Sequence, residues 1–174
     1  MRFDVVRSPM DNFAEAISAI RDMRQDGLIS EYALGGAMAM IFWSEPTVTF
    51  DLDVFVLLDQ SGPLISLDAI YRWARHRGYP EQAEHLVIAG LPVQVIPAHD
   101  ALTVEAVSTA ADLDYDGEPI RVIRPEYLIA MFLEPTARTR KRLERVATLL
   151  DEGDLDRDLL KTLLDRYRLQ LPQP

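Results

Sequence analysis

Two aspartates one residue apart, Asp51 and Asp53, stand in a segment that is otherwise apolar and β-prone. Burying carboxylates in such a strand is costly unless something uses them. Alternation along the strand turns both to one face with Cα atoms about 6.6 Å apart. From there the carboxylates can converge on one cation, or bridge two cations spaced about 3.5–4 Å. Hard oxygen ligands of this kind suit Mg²⁺ carrying substrate phosphates. Upstream, Gly35-Gly36 follows a short apolar run. A glycine pair lets the backbone approach a phosphate closely, and amides that open a helix attract anions. Thr49 faces the same way as the aspartates, where its hydroxyl could touch a phosphate, although a plain strand role is the simpler reading. The pattern points to chemistry on a phosphate held by a metal.

These residues need elements to position them. Ser8-Pro9 reads as an N-cap followed by proline in the first turn, and Phe13, Ala16, Ile17, Ile20 and Met23 recur at helical spacing up to Gly27. Tyr32-Ala33-Leu34 is a short strand running into the glycine pair. Residues 37–43 form a short buried helix broken by Glu45-Pro46. The clearest strand covers 48–58. Val48, Phe50, Leu52, Val54 and Val56 make one apolar face, and Thr49, Asp51 and Asp53, then Phe55 and Leu57, make the other. Residues 66–77 predict a helix with Ile70, Trp73 and Ala74 inward. Residues 85–89 and 93–96 predict two strands of a hairpin around Gly90-Leu91-Pro92. Asp100 can cap a helix reaching Ala110, and 115–123 suggests a strand or hairpin turning at Asp116-Gly117. From Pro125 the pattern is helical. Leu128, Ile129 and Phe132 mark one stripe, Leu143, Val146, Ala147 and Leu150 a second, and Leu155 to Tyr167 a third. The expectation is an α/β (α+β) chain: a small mixed sheet flanked by helices over 1–124, then a helical segment over 125–174. No flexible linker separates them, so they read as one folding unit.

Composition narrows the function. The 174 residues contain no cysteine, which excludes disulfides and thiolate chemistry. A formal charge of −10 disfavours general DNA binding and makes a small or locally docked acceptor more comfortable than a long nucleic acid. Positive charge is nevertheless crowded at Arg138, Arg140, Lys141, Arg142 and Arg145. The simplest reading is a solvated helix face with Glu134 and Glu144 as partners; the functional one is a platform for a triphosphate or an RNA acceptor. His76, His85 and His99 lack metal-ligand spacing and read as structural or exposed; Trp43 and Trp73 read as core. Met1-Arg2-Phe3-Asp4 lacks the apolar run of a signal peptide, and no apolar stretch approaches the ~18 residues of a membrane span. A soluble, cytoplasmic protein is expected.

Leu34-Gly35-Gly36 followed by Asp51-Leu52-Asp53-Val54 resembles the signature of the nucleotidyltransferases of the DNA polymerase β superfamily, at slightly longer spacing. The surrounding residues look like the minimal bacterial and archaeal branch that includes AbiEii-like toxins. Arg124-Pro125-Glu126-Tyr127-Leu128-Ile129-Ala130-Met131 is similar to the helix opening that follows the catalytic sheet there. The resemblance implies an Mg²⁺-dependent transfer of NMP from an NTP to a hydroxyl of RNA, protein or a small molecule. Asp51 and Asp53 would hold the metal, and Gly35 and Gly36 would cradle the phosphates. It also implies a possible toxin role with an antitoxin protein as partner. The family takes a third carboxylate from a later strand, and Gln94 sits at that place in Val93-Gln94-Val95-Ile96. Three outcomes stay open: Gln94 is a tolerated variant, an acid such as Glu84 reaches in, or the chain binds a nucleotide or partner without transferring. A lysine common in related chains falls here on Phe132, leaving Lys141 or its arginine neighbours to replace it.

Overall fold

The computed structural model describes residues 9–45, 49, 51–59, 64–136 and 138–172. Ser8, Pro46, Val48 and Phe50, to which the sequence reading assigned a cap, a helix break and the start of a strand, lie outside the described residues.

The first helix, α1 (Pro9–Gln25), buries Phe13, Ala16, Ile17, Ile20 and Met23, the residues at helical spacing. It leads to β1 (Glu31–Leu34), the short helix α2 (Gly36–Met40) and β2 (Leu52–Leu57). In β2 the faces alternate as expected: Leu52, Val54 and Val56 are fully buried, while Asp53, Phe55 and Leu57 are partly exposed. Asp51 lies just before the strand, where its carbonyl accepts the Thr49 hydroxyl at 3.2 Å.

Helix α3 (Asp68–His76) is followed by β3 (Glu81–Gln82), β4 (His85–Ile88) and β5 (Leu91–Pro97). The β4–β5 hairpin turns at Ala89-Gly90, both with positive φ (53° and 81°), and not through the three residues 90–92 that the sequence suggested. Two residues of left-handed backbone match the twist of a tight hairpin. Asp100 caps α4 (Ala101–Ser108), its Oδ1 accepting the Thr103 N–H at 2.9 Å. This helix ends two residues short of Ala110, and β6 (Ala111–Tyr115) begins a hairpin with β7 (Glu118–Val122) that turns at Asp116-Gly117.

Among the described residues, seven strands form one mixed sheet in the order β3-β4-β5-β2-β1-β7-β6. Its central strand is β2, parallel to β5 on one side and antiparallel to β1 on the other, and β1 is parallel to β7. Helix α1 packs on β4 and β5, and α4 on β1 and β2.

The helical segment comprises α5 (Pro125–Leu133), α6 (Arg140–Glu152) and α7 (Arg157–Tyr167). The expected apolar stripe on α5 understates its burial: all nine residues are buried, Glu126 included. A helix enclosed by α4, α6 and α7 has no solvent side to make polar. Glu126 Oε1 accepts the Asp156 N–H at 2.7 Å, joining α5 to the start of α7. Glu105 of α4 accepts from the Tyr127 hydroxyl at 3.0 Å and the Tyr167 hydroxyl at 3.0 Å, and from Arg166 at 2.8 and 2.9 Å. Trp43 and Trp73 sit half-buried at the edge of the core, where each indole N–H reaches an acceptor: the Ile123 carbonyl at 2.8 Å and Asp26 at 2.7 Å.

Candidate functional site

The β1–α2 turn brings Gly35 and Gly36 against β2. The Gly35 N–H donates to the Asp53 carbonyl at 2.9 Å, which carries the β1–β2 ladder one step beyond Leu34. A Cβ on Gly35 would overlap the Phe55 ring. Gly36 has φ +59°, and a Cβ there would overlap the Asp53 carboxylate. The pair is glycine because this turn lies on the two β2 side chains that face it. Of the two, Gly36 lines the cavity described below.

Register then extends the row. Asp53 stands opposite Gln94 on β5, and Gln94 stands opposite His85 on β4. Gly35, Asp53, Gln94 and His85 thus lie side by side across four strands. Asp51 stays near this row, its Oδ2 at 3.9 Å from His85 Nε2 and its Oδ1 accepting the Thr49 hydroxyl at 3.2 Å. Burial, and then the Asp51 charge, push the Asp53 pKa above the usual carboxylate range, against the opposing charges of Arg145, His85 and Arg142. An ionised Asp53 is therefore in want of a cation.

Asp53 and Gln94 open into a cavity of ≈ 350 Å³ between the sheet and the helical segment. Phe55 and Ile96 continue its sheet wall; Leu128, Met131 and Phe132 of α5 face them. Arg142 and Arg145 enter from α6, with guanidinium carbons 5.9 and 5.6 Å from the centre of the Phe132 ring. That spacing places both cations over the aromatic face. Burial lowers the Arg145 pKa, while the charges of Asp53 and Asp51 act to raise it. Asp100, His99 and Glu134 also line the cavity. The Glu134 pKa is raised by burial and then by Asp100, with Arg142 and His99 opposing. Arg142 thus acts on both acidic groups.

Several expected site residues meet here and others do not. Asp53, Gln94 and Gly36 line the cavity; Asp51 and Thr49 are not on its lining but are joined by a hydrogen bond beside His85, and Gly35 packs against Phe55. Lys141 is exposed and off the cavity, and the basic positions lining it are Arg142 and Arg145. One residue along a helix rotates a side chain by about 100°, and the face of α6 that buries Val146 and Leu149 carries the two arginines inward. Arg140 keeps the solvated role, pairing with Glu144 at 3.0 Å. Glu84 is exposed and off the cavity, with its carbonyl accepting the Tyr71 hydroxyl at 3.3 Å, so it is not the missing acid. His85, read as structural or exposed, is instead half-buried beside Asp51. The signal that could have found it is the hairpin turn: a loop of 90–92 sets Ile88 opposite Gln94, whereas the Ala89-Gly90 turn sets His85 there. Glu134 and His99 sit in loops whose approach to the sheet leaves no trace in local pattern.

The donor set fits one Mg²⁺ brought in on phosphates, since that ion takes one or two protein carboxylates and leaves its remaining positions to substrate and water. It does not form a closed protein cage. Among the described residues, no group of three or more His, Cys, Asp or Glu could hold a metal.

A mixed sheet with an acidic strand facing a glycine turn, roofed by helices, is the architecture of the nucleotidyltransferases, and the chain has that fold. It is similar to the antigenic nucleotidyltransferase-like protein from Paracoccidioides brasiliensis, at TM-score 0.55 and 13% identity over 90% of this chain and 87% of that one. It is also similar to ANT(2'')-Ia in complex with adenylyl-2''-tobramycin, at TM-score 0.54 and 18% identity over 90% of this chain and 97% of that one. The solution structure of the antibiotic-resistance factor ANT(2'')-Ia matches at TM-score 0.52 and 15% identity over 91% and 92% of the two chains. No protein-family model and no curated protein matches the chain. No helix among the described residues is long and apolar enough to cross a membrane.

Proposed function

We propose that the chain is an Mg²⁺-dependent nucleotidyltransferase that moves NMP from an NTP to a hydroxyl acceptor at the Asp51–Asp53 cleft. The observation that carries this reading is the meeting of Gly36, Asp53, Arg142 and Arg145 on one cavity of nucleotide-compatible size in a nucleotidyltransferase fold. Asp51 and Asp53 hold the metal, which when bound supplies positive charge to the phosphates. Arg142 and Arg145 take the triphosphate from the opposite wall and keep it in place by charge and planar hydrogen bonding. The acceptor oxygen attacks the α-phosphorus, the bond to the bridging oxygen breaks, pyrophosphate leaves, and the hydroxyl proton passes to solvent. Catalysis is by positioning and charge neutralisation. Asp100 and Glu134, both lining the cavity, favour an acceptor carrying amines.

Isothermal titration of ATP, GTP, CTP and UTP in Mg²⁺, followed by labelled-NTP transfer onto total RNA, the protein itself and amine-bearing polyols, tests the reading. Binding by the wild type and its loss in Asp51→Ala/Asp53→Ala are expected. Identical behaviour of the two proteins would remove the site. A second reading, a nucleotide- or partner-binding member without transfer, is favoured by Gln94 at the place of a third acid; binding without labelled product would select it. A toxin role rests on the sequence resemblance, and growth arrest on expression, dependent on Asp53, is its test.

A further inference from the structure

Resting on that reading, we propose that the site takes one divalent cation and not two, with Arg145 of α6 supplying the positive charge that a second would bring. Gln94 lies directly across from Asp53 on the parallel strand, where a ligand for a second ion would stand, and its amide carries no charge. Among the described residues two other acids line the cavity, Asp100 and Glu134, but neither lies on the Asp53–Gln94 pair of strands, and no group of three or more His, Cys, Asp or Glu could hold a metal. Glu84 is exposed and off the cavity, and Asp100 already spends Oδ1 on the Thr103 N–H at 2.9 Å and Oδ2 on the Thr103 hydroxyl at 2.8 Å. Asp51 and Asp53 alone carry two negative charges, which one divalent ion balances.

The opposite wall makes a second ion unwelcome. Arg145 is half-buried, acts on both Asp53 and Asp51 through its charge, and is held over the Phe132 ring at 5.6 Å. Arg142 stands beside it at 5.9 Å from the same ring. Two fixed guanidinium groups repel a further cation and offer the leaving phosphates the charge and donors that a second metal supplies elsewhere.

Equilibrium dialysis of the full chain against MnCl₂ and non-hydrolysable α,β-analogues of the four nucleoside triphosphates, with bound Mn²⁺ counted by electron paramagnetic resonance, tests this. One Mn²⁺ and one nucleotide retained per chain is expected. Two Mn²⁺ per nucleotide would overturn the inference and leave the proposed function standing. No retained nucleotide would overturn the proposed function and this inference with it. In the Gln94→Asp/Arg145→Gln double variant, checked for folding by circular dichroism, a second Mn²⁺ is expected. A folded double variant that still retains one ion shows that these two residues do not set the limit.

Discussion

Gly36 and Asp53 are fitted to each other: the glycine's backbone occupies the space where any larger residue would displace the Asp53 carboxylate. Gly36 also has φ +59°, a backbone state that L side chains adopt at a cost. Gly36→Ala therefore combines strain of about 1–3 kcal/mol with a displaced carboxylate. Urea denaturation is expected to show the loss of stability and calorimetry a loss of Mg²⁺-nucleotide binding. In Gly35→Ala the overlap falls on the Phe55 ring, so stability is expected to fall further than metal-nucleotide binding. Equal binding by wild type and Gly36→Ala would contradict the fit.

Asp53 yields a pH dependence whose sign follows from its raised pKa. An acid whose folded pKa lies above its unfolded value contributes stability below the unfolded pKa, and that contribution is lost as pH rises through the folded one. Asp53→Asn removes the charge and keeps the shape. It is expected to raise Tm relative to wild type at neutral pH, with the gain shrinking as pH falls through the raised folded value and gone below about 4, the unfolded aspartate value. Transfer activity is expected to drop by at least about 10²-fold, the scale of losing one electrostatic contact to the reacting group. Thermal melts across pH 3–8 check the first expectation and labelled-NTP assays the second.

The α6 arginines and Lys141 separate by the direction each faces. Arg145→Gln is expected to weaken nucleotide binding by about 10- to 100-fold, from the ~1.5–3 kcal/mol of a charged hydrogen bond. Lys141→Gln, on the exposed face, is expected to leave it within about twofold, as for a screened surface charge. Titration of one NTP into both variants distinguishes them, and a larger loss in the lysine variant would reverse the assignment.

Residues 1–124 and 125–174 are proposed to unfold together, because Glu105 on α4 takes hydrogen bonds from Tyr127 on α5 and from Arg166 and Tyr167 at the end of α7. A single transition is expected by both circular dichroism and tryptophan fluorescence. The Glu105 pKa is lowered: burial raises it, but the hydrogen bonds from Arg166, Tyr167 and Tyr127 outweigh that cost. A lowered acid contributes stability above its unfolded pKa and loses it as pH falls through the folded value. Glu105→Gln is thus expected to cost stability at neutral pH, with the cost shrinking as pH falls below about 4, the unfolded glutamate value, and gone once pH is below the lower folded value. Two separate transitions in the wild type would show independent units.

Much of the site is local and hence legible in the residues. The β2 alternation sets Asp53 against the buried Leu52 and Val54 because strand side chains repeat every two residues. Gly35-Gly36, Asp100 as a helix cap and the Asp116-Gly117 turn are likewise short-range chemistry. The α/β sheet and the three late helices follow from periodicity. What periodicity cannot carry is the pairing of distant segments. The Asp53–Gln94–His85 row depends on two registers, one of them set by a turn of two residues where three were expected. A five-residue basic cluster does not announce that Arg142 and Arg145 turn inward while Lys141 turns out; the packing of α6 on α5 selects that face. Nor does Glu134 reveal that it lines the same cavity as Asp53. The sequence by itself determined the acidic strand and the glycine turn, the candidates for holding a metal and a phosphate. The tertiary structure decided which charges face them, because charge interactions act between segments that chain folding, and not sequence neighbourhood, brings close.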